Sequence, residues 1–303
     1  DKASDWEGLA GISLRYTFPA GWWLESGITY LRVFDPIDEE DVPSRAKQDR
    51  VDFFFDVGFD QLFQRTVGSR WTFKVGVDLK TRNFNDDAFE TGNRNQAIIR
   101  ARLGYKVLKE MQVYVEYRYS ITDAKNKRIN DGRAHEFRIG TDGAYPIAAG
   151  RLQGKVYLGY RRDAFDGPNT IIVGSSPEQT DDNDQTDRLI AGLQLRYLPG
   201  SRTTLTFRYR RDTDFSTQGN FQYSDRIDLD GQYLIIQNLP VRAGGYVDWS
   251  QPSTGGKVTR YGIGAGARYR FIDNLDADLS WQSIWRNDDR GENGSEYVEH
   301  RFV

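Results

Sequence analysis

The sequence predicts an all-β chain, a transmembrane antiparallel up-and-down β-barrel of about 16 strands. Three observations predict it. Apolar and polar residues alternate strictly along much of the 303 residues, and no segment has a convincing helical period. The connections between the alternating runs are short and long by turns. The aromatic residues on the apolar register cluster at the ends of the runs.

About 15 such runs can be counted, most of roughly 9–14 residues. They start near Gly8, Leu24, Arg50, Arg70, Ala97, Met111, His135, Leu152, Arg188, Thr203, Arg226, Val241, Arg260, Leu275 and Glu296. The first sets Ile12, Leu14, Tyr16 and Phe18 against Ser13, Arg15 and Thr17. The second, after Trp22 and Trp23, is the least regular. The fourth alternates Trp71, Phe73, Val75, Val77 and Leu79 with Thr72, Lys74, Gly76, Asp78 and Lys80. The fifth places Ile99, Ala101, Leu103 and Tyr105 opposite Arg100, Arg102, Gly104 and Lys106. The sixth places Val113, Val115, Tyr117 and Tyr119 opposite Gln112, Tyr114, Glu116 and Arg118. Later runs repeat the pattern, as in Leu205, Phe207 and Tyr209 against Thr206, Arg208 and Arg210. A period of two gives each strand one apolar and one polar face.

The short connections include "FPAGW", "LKE", "YPIAAGR", "LPGS", "IIQNLP" and "FIDN", with "DQLFQRTVGS" a longer member of the set. Between them fall long polar ones, among them Asp35 to Gln48, Asn83 to Asn95, Thr122 to Arg133, Asp163 to Thr186 and Asp212 to Gln222. Short turns at one end and long loops at the other describe an up-and-down membrane barrel, in which the short turns face the periplasm. The first and the fifteenth runs then both descend. An even strand number requires one more ascending strand before Asp1, and the short closing run "EYVEHRFV" suggests that the end is cut as well. No linker divides the chain, so residues 1–303 are read as one outer-membrane barrel domain.

The aromatic residues support this. Tyr16, Phe18, Tyr105, Tyr145, Tyr197, Tyr233, Tyr269 and Phe271 sit beside short turns, and Tyr117, Tyr119, Tyr209, Trp249 and Trp285 sit nearer the long-loop end. Rings at both ends of apolar strands match interfacial girdles. Lipid is therefore the expected partner of the apolar face, and the bacterial outer membrane the expected location.

Composition narrows the chemistry. There is no cysteine, 1 Met and 2 His, so thiolate chemistry is excluded and histidine chemistry is scarce. A net charge of -3 argues against a nucleic-acid binder. No run of 18 apolar residues forms a transmembrane helix, and no basic-then-apolar leader opens the chain. Gly262, Gly264 and Gly266 do not fit a dinucleotide loop, because the third glycine comes one residue early and no helix follows. On the polar face they leave room for long neighbouring side chains. His135 and His300 have no G-x-S-x-G elbow to serve, and His135 reads as a solvated rim residue. "TDDNDQTD", Thr180 to Asp187, lacks the Gly and Glu of a calcium loop and reads as a solvated acidic loop. No enzyme, metal site or cofactor is expected.

The polar, inward face is richest in arginine. Arg100, Arg102, Arg118, Arg138, Arg161, Arg196, Arg208, Arg210, Arg226, Arg242, Arg268 and Arg270 are the candidate pore-lining residues, with Arg15, Lys106, Lys155 and Arg188 on the same register. Inward acids, such as Asp56, Asp78, Glu116, Glu136, Asp142, Asp228 and Asp230, are fewer. Some of these charges pair, as Arg226 does beside Asp228 and Asp230. The surplus favours anions, because a planar guanidinium suits carboxylate, phosphate or sulfate groups. A barrel of about 16 strands is wide enough for an aqueous channel.

The last third, from about Asp187 to Val303, resembles an outer-membrane β-barrel family, the β-barrel porin type found with exopolysaccharide and capsule gene clusters. The residues carrying the resemblance are "LPGSRTTLTFRYRRDTDFSTQGNFQYSDRIDLDGQYLI", "VTRYGIGAGARYRFIDNLDADLSW" and "GSEYVEHRFV", with Tyr223, Ile227, Tyr297 and Arg301 at the motif positions. The resemblance implies an exit pore for a secreted polysaccharide, working with periplasmic export proteins, and it supplies no catalytic residue. The expected function is therefore export of an anionic polysaccharide through an arginine-rich lumen. The alternatives are a general diffusion porin for small solutes, or a closed structural or adhesive barrel.

Overall fold

The computed structural model of the chain describes residues 8–18, 21–34, 47–62, 70–85, 92–125, 130–147, 151–167, 170–173, 176–179, 184–215, 220–253, 256–272, 275–288 and 297–302. Its strands are β1 (Gly8–Thr17), β2 (Trp22–Phe34), β3 (Lys47–Leu62), β4 (Trp71–Phe84), β5 (Arg94–Leu108), β6 (Met111–Ala124), β7 (Gly132–Tyr145), β8 (Leu152–Phe165), β9 (Thr170–Val173), β10 (Ser176–Gln179), β11 (Gln185–Tyr197), β12 (Thr203–Phe215), β13 (Phe221–Ile236), β14 (Leu239–Pro252), β15 (Val258–Ile272), β16 (Leu275–Asp288) and β17 (Tyr297–Phe302). Fifteen of them form one sheet in chain order, and every neighbouring pair is antiparallel. β9 and β10 pair only with each other, so β8 lies beside β11. β1 and β17 are the outermost strands, and no pairing joins them among the described residues.

The sheet follows from the alternation. A tilted strand crosses the hydrocarbon with about 9–11 residues. β3 to β8 run to 14–16, so their ends stand beyond it. The outward residues would be a severe liability in water. Ile139 is 63% exposed, Leu189 65% and Leu279 71%. The inward polar residues are the buried ones, with Glu116 at 4% and Arg138 at 8%. This inside-out arrangement is stable only where lipid is the outer solvent.

The short-turn rim has its own local devices. Gly21 adopts φ +85° in the β1–β2 turn, where its N–H donates to the Phe18 carbonyl. Register shifts fall at Phe59/Leu62, Lys106/Leu108, Leu234/Ile236 and Arg270/Ile272, all at this end. Bulges at a barrel rim increase twist and terminate pairing.

Two sequence expectations shift. The acidic connection after β8 contains the β9–β10 hairpin, whose first strand, the apolar run "TIIV", is set among acidic residues and was not expected as a strand. Asp163, expected in that loop, belongs to β8 and is 4% exposed, because Arg161 lies two residues before it on the same face and neutralises it.

Candidate functional site

The polar face of the sheet is the candidate site. Pairing places its residues in cross-strand rows. One row runs Arg100, Arg118, Glu136, Arg161 and Arg188 across β5 to β11. Another runs Arg210, Arg226, Asp248, Arg260 and Arg286 across β12 to β16. Like charges directly opposite repel, so each row needs relief from elsewhere.

The relief runs along the strands. Residues i and i+2 share a face. Arg118 bonds Glu116 at 2.7 Å, Arg161 bonds Asp163 at 2.8 Å and Arg226 bonds Asp228 at 2.9 Å, and Arg138 bonds Glu136. Cross-strand bridges complete the lattice. Arg100 reaches both Asp56 and Asp78 at 2.7 Å, Arg102 reaches Glu116 at 2.5 Å, and Arg161 also reaches Asp212 at 3.4 Å. Arg208 bonds Asp230 at 2.8 Å, Arg242 bonds Asp278 at 2.7 Å and Arg210 stands 3.8 Å from Asp214. The expected surplus of unmatched arginine is therefore corrected for much of the lumen. Of the candidates, Arg196 and Arg270 form no ion pair among the described residues, while Arg268, opposite Asp278 on β16, has partners of its own.

Arg188 departs from its neighbours. The pairing of β11 with β12 covers only Ala191–Tyr197 against Leu205–Arg211. Beyond it the guanidinium crosses to β13, 3.2 Å from Asp225 and 4.1 Å from the Tyr223 ring.

Four aromatic residues on the inward face were given no role by the sequence. Trp23, Tyr114, Tyr157 and Tyr246 each lie over a glycine on a paired strand, namely Gly58, Gly140, Gly192 and Gly262. Each ring also carries a cation over it. Arg15 is 4.7 Å from Trp23, Arg102 4.0 Å from Tyr114, Arg138 4.2 Å from Tyr157 and Arg226 4.5 Å from Tyr246. The rings pin the guanidiniums flat along the wall. The missed signal was an aromatic residue on the polar register, opposite a glycine.

Exposure differs along the lumen, with Arg210, 47% exposed in the row of Arg260 and Arg286, as an exception to the trend. At the long-loop end Arg94 is 8% exposed, Arg260 7% and Arg286 3%. Toward the short turns the side chain of Arg208 is 46% exposed and that of Arg242 59%, and Arg196, Arg268 and Arg270 are exposed. The loops meet at the buried end. Asn220 donates to the Gly167 carbonyl at 3.1 Å, Asn130 donates to the same carbonyl at 2.5 Å and to Asn220 Oδ1 at 3.0 Å, and the Phe165 and Phe221 rings stack at 5.9 Å.

The remaining motifs stay outside this lattice. His135 is on the outward face of β7, exposed, with Nδ1 2.7 Å from the Tyr117 hydroxyl. The side chain of His300 and residues 180–183 of the acidic stretch lie outside the described residues. Among the described residues no cluster of acids and histidines could hold a metal ion.

No family model matches the sequence, and no curated protein does. Solved structures do match its fold. The FrpB iron transporter of Neisseria meningitidis aligns in its F3-3 variant with TM-score 0.50 and 11% identity, over 95% of this chain and 54% of that one. The F5-1 variant gives 0.51 and 10%, over 94% and 54%. The alcaligin outer membrane receptor FauA from Bordetella pertussis gives 0.48 and 12%, over 97% and 56%. The fold is that of an outer-membrane β-barrel. The chain spans about half the length of these structures. Together with the lipid-facing band, this fold places the chain in the bacterial outer membrane. In such barrels the short turns are periplasmic, so the exposed arginines lie at the periplasmic mouth and the buried lattice toward the outside.

Proposed function

We propose that the chain is the wall of an outer-membrane export pore for an anionic polysaccharide. One observation carries the reading: most of the exposed inward arginines, Arg196, Arg208, Arg242, Arg268 and Arg270, lie toward the short-turn mouth, with Arg210 exposed deeper in the wall. An acidic chain entering from the periplasm would meet these exposed arginines first, among them Arg208 and Arg242, each of which shares its charge with one exposed carboxylate. It would then pass paired arginines, whose many exchangeable hydrogen bonds allow sliding rather than capture. Transport is in keeping with the two FrpB neighbours, both described as an iron transporter, but those likenesses bear on fold. No residue of the pore is assigned a catalytic role. Outer-membrane lipid, the polysaccharide and periplasmic export proteins are the proposed partners.

Planar-bilayer recording tests this. Arg208→Ala with Arg210→Ala should lower the anion preference of the open pore. Cation selectivity unaffected by that pair of substitutions would refute it. A general diffusion porin is the second reading, favoured by the charge balance of the inner lattice. It predicts open conductance and passage of unrelated sugars with no export partner present.

A further inference from the structure

The sheet thins in one place. Gly231, Ala243, Gly244, Gly245, Gly262, Gly264, Ala265, Gly266 and Ala267 fall on three adjacent strands, β13 to β15. Alternate residues face opposite sides, so the lumen side of this patch is made by Gly244, Gly262 and Gly264, which line a recess of about 540 Å³. That lies within the range of about 300–1,000 Å³ typical of small-molecule sites. One cross-strand row crosses it: Thr206, Asp230, Gly244, Gly264 and Gln282. Arg208 and Arg242 stand at its sides, each bonded to a carboxylate and each still open to the lumen.

We propose that this recess is a saccharide subsite that holds a hexopyranose ring by its hydroxyls. The argument rests on the donor and acceptor set. A sugar hydroxyl both gives and accepts a hydrogen bond. Here donors (Arg208, Arg242) and acceptors (Asp228, Asp230) alternate, and the Gln282 amide supplies both. A bare anion would meet the two carboxylates and gain little. The floor is open at Gly264, where a Cβ would meet only the Trp281 carbonyl and Gln282, while the Tyr246 ring covers Gly262 and the Asp230 carboxylate stands over Gly244. The subsite deepens the export reading and depends on it for its purpose: it would give the moving chain a resting register that charge alone cannot. It selects sugar rings, charged or neutral, over simple anions.

The experiment is single-channel recording of the folded chain, with maltohexaose, oligogalacturonate and inorganic sulfate added in turn on the short-turn side. Both oligosaccharides should interrupt the current in discrete events, and sulfate should not. Gly264→Leu, whose side chain would fill the recess, should weaken the sugar block at least tenfold (by the order of magnitude that 1.4 kcal/mol represents) and leave ion selectivity unchanged. Should that variant fail to fold, Gln282→Ala should weaken the block several-fold with the floor intact. Block that is absent with both sugars, equal with sulfate, or indifferent to either variant overturns the subsite. The export reading is judged separately, by the ion selectivity of the Arg208 and Arg210 variants.

Discussion

Glu116 holds two guanidiniums at once, from Arg102 and Arg118, while almost wholly removed from solvent. Removing it leaves two cations facing each other along the wall. Glu116→Ala should therefore cost about 3–5 kcal/mol, the range for breaking a buried pair. Urea unfolding of the barrel in lipid vesicles, followed by tryptophan fluorescence, checks this; a loss below about 1 kcal/mol would mean that the lattice is solvated after all. Gly262 is sensitive for a steric reason. A Cβ there would stand 2.5 Å from the Tyr246 ring. Gly262→Ala should destabilise by about 1–3 kcal/mol, as overpacking does. Adding Tyr246→Ala should recover part of that loss, and a double-mutant cycle measures the recovery.

At the scale of the element, each strand has two faces with opposite demands. Ile139, in the middle of β7 and 63% exposed, faces lipid. Ile139→Arg should cost about 2–4 kcal/mol in bilayer unfolding, the range for a midplane cation. The knot of Asn130, Gly167 and Asn220 makes a different demand, because it ties three connections together at the long-loop mouth. Asn220→Ala should leave the strands intact and raise current noise and mean conductance; unchanged recordings would show that the knot does not bear on the mouth. Strands were legible in the sequence because lipid on one side and charge on the other enforce alternation. The starts near Gly8, Met111, Leu152, Thr203 and Leu275 coincide with those observed. β13 begins at Phe221 rather than near Arg226, because "FQYS" buries its residues at the loop junction and breaks the alternation. The arginine positions were legible for the same periodic reason. Their pairing was less so, since partners come from strands distant in sequence: Arg100 and Asp56 are 44 residues apart. The pairs at i and i+2 are written in the sequence itself, in "EYR" and "EFR" as in the pairing of Arg226 with Asp228.

For the whole molecule, charge is arranged by depth rather than by amount. The net charge of -3 hides a mouth whose arginines are exposed, some of them beside equally exposed acids, and an interior whose charges are paired out of solvent. Screening separates the two. The Debye length falls from about 10 Å at 0.1 M salt to about 3 Å at 1 M. Anion preference set at the mouth should fade across that interval, while the buried lattice should hold the barrel's stability nearly constant. Reversal potentials measured at both salt concentrations, beside unfolding midpoints, check the two halves of this expectation.

The four ring-on-glycine seats also act on assembly. Each forms only when two neighbouring strands have zipped in step. A slip of two residues between β8 and β11 would drive the Tyr157 ring against Ile190 or Gln194 instead of Gly192. A mis-threaded hairpin therefore announces itself as a clash before the next strand is laid down. The glycines that make room in the finished wall are thus also register marks for the four strand pairs they join, β2–β3, β6–β7, β8–β11 and β14–β15.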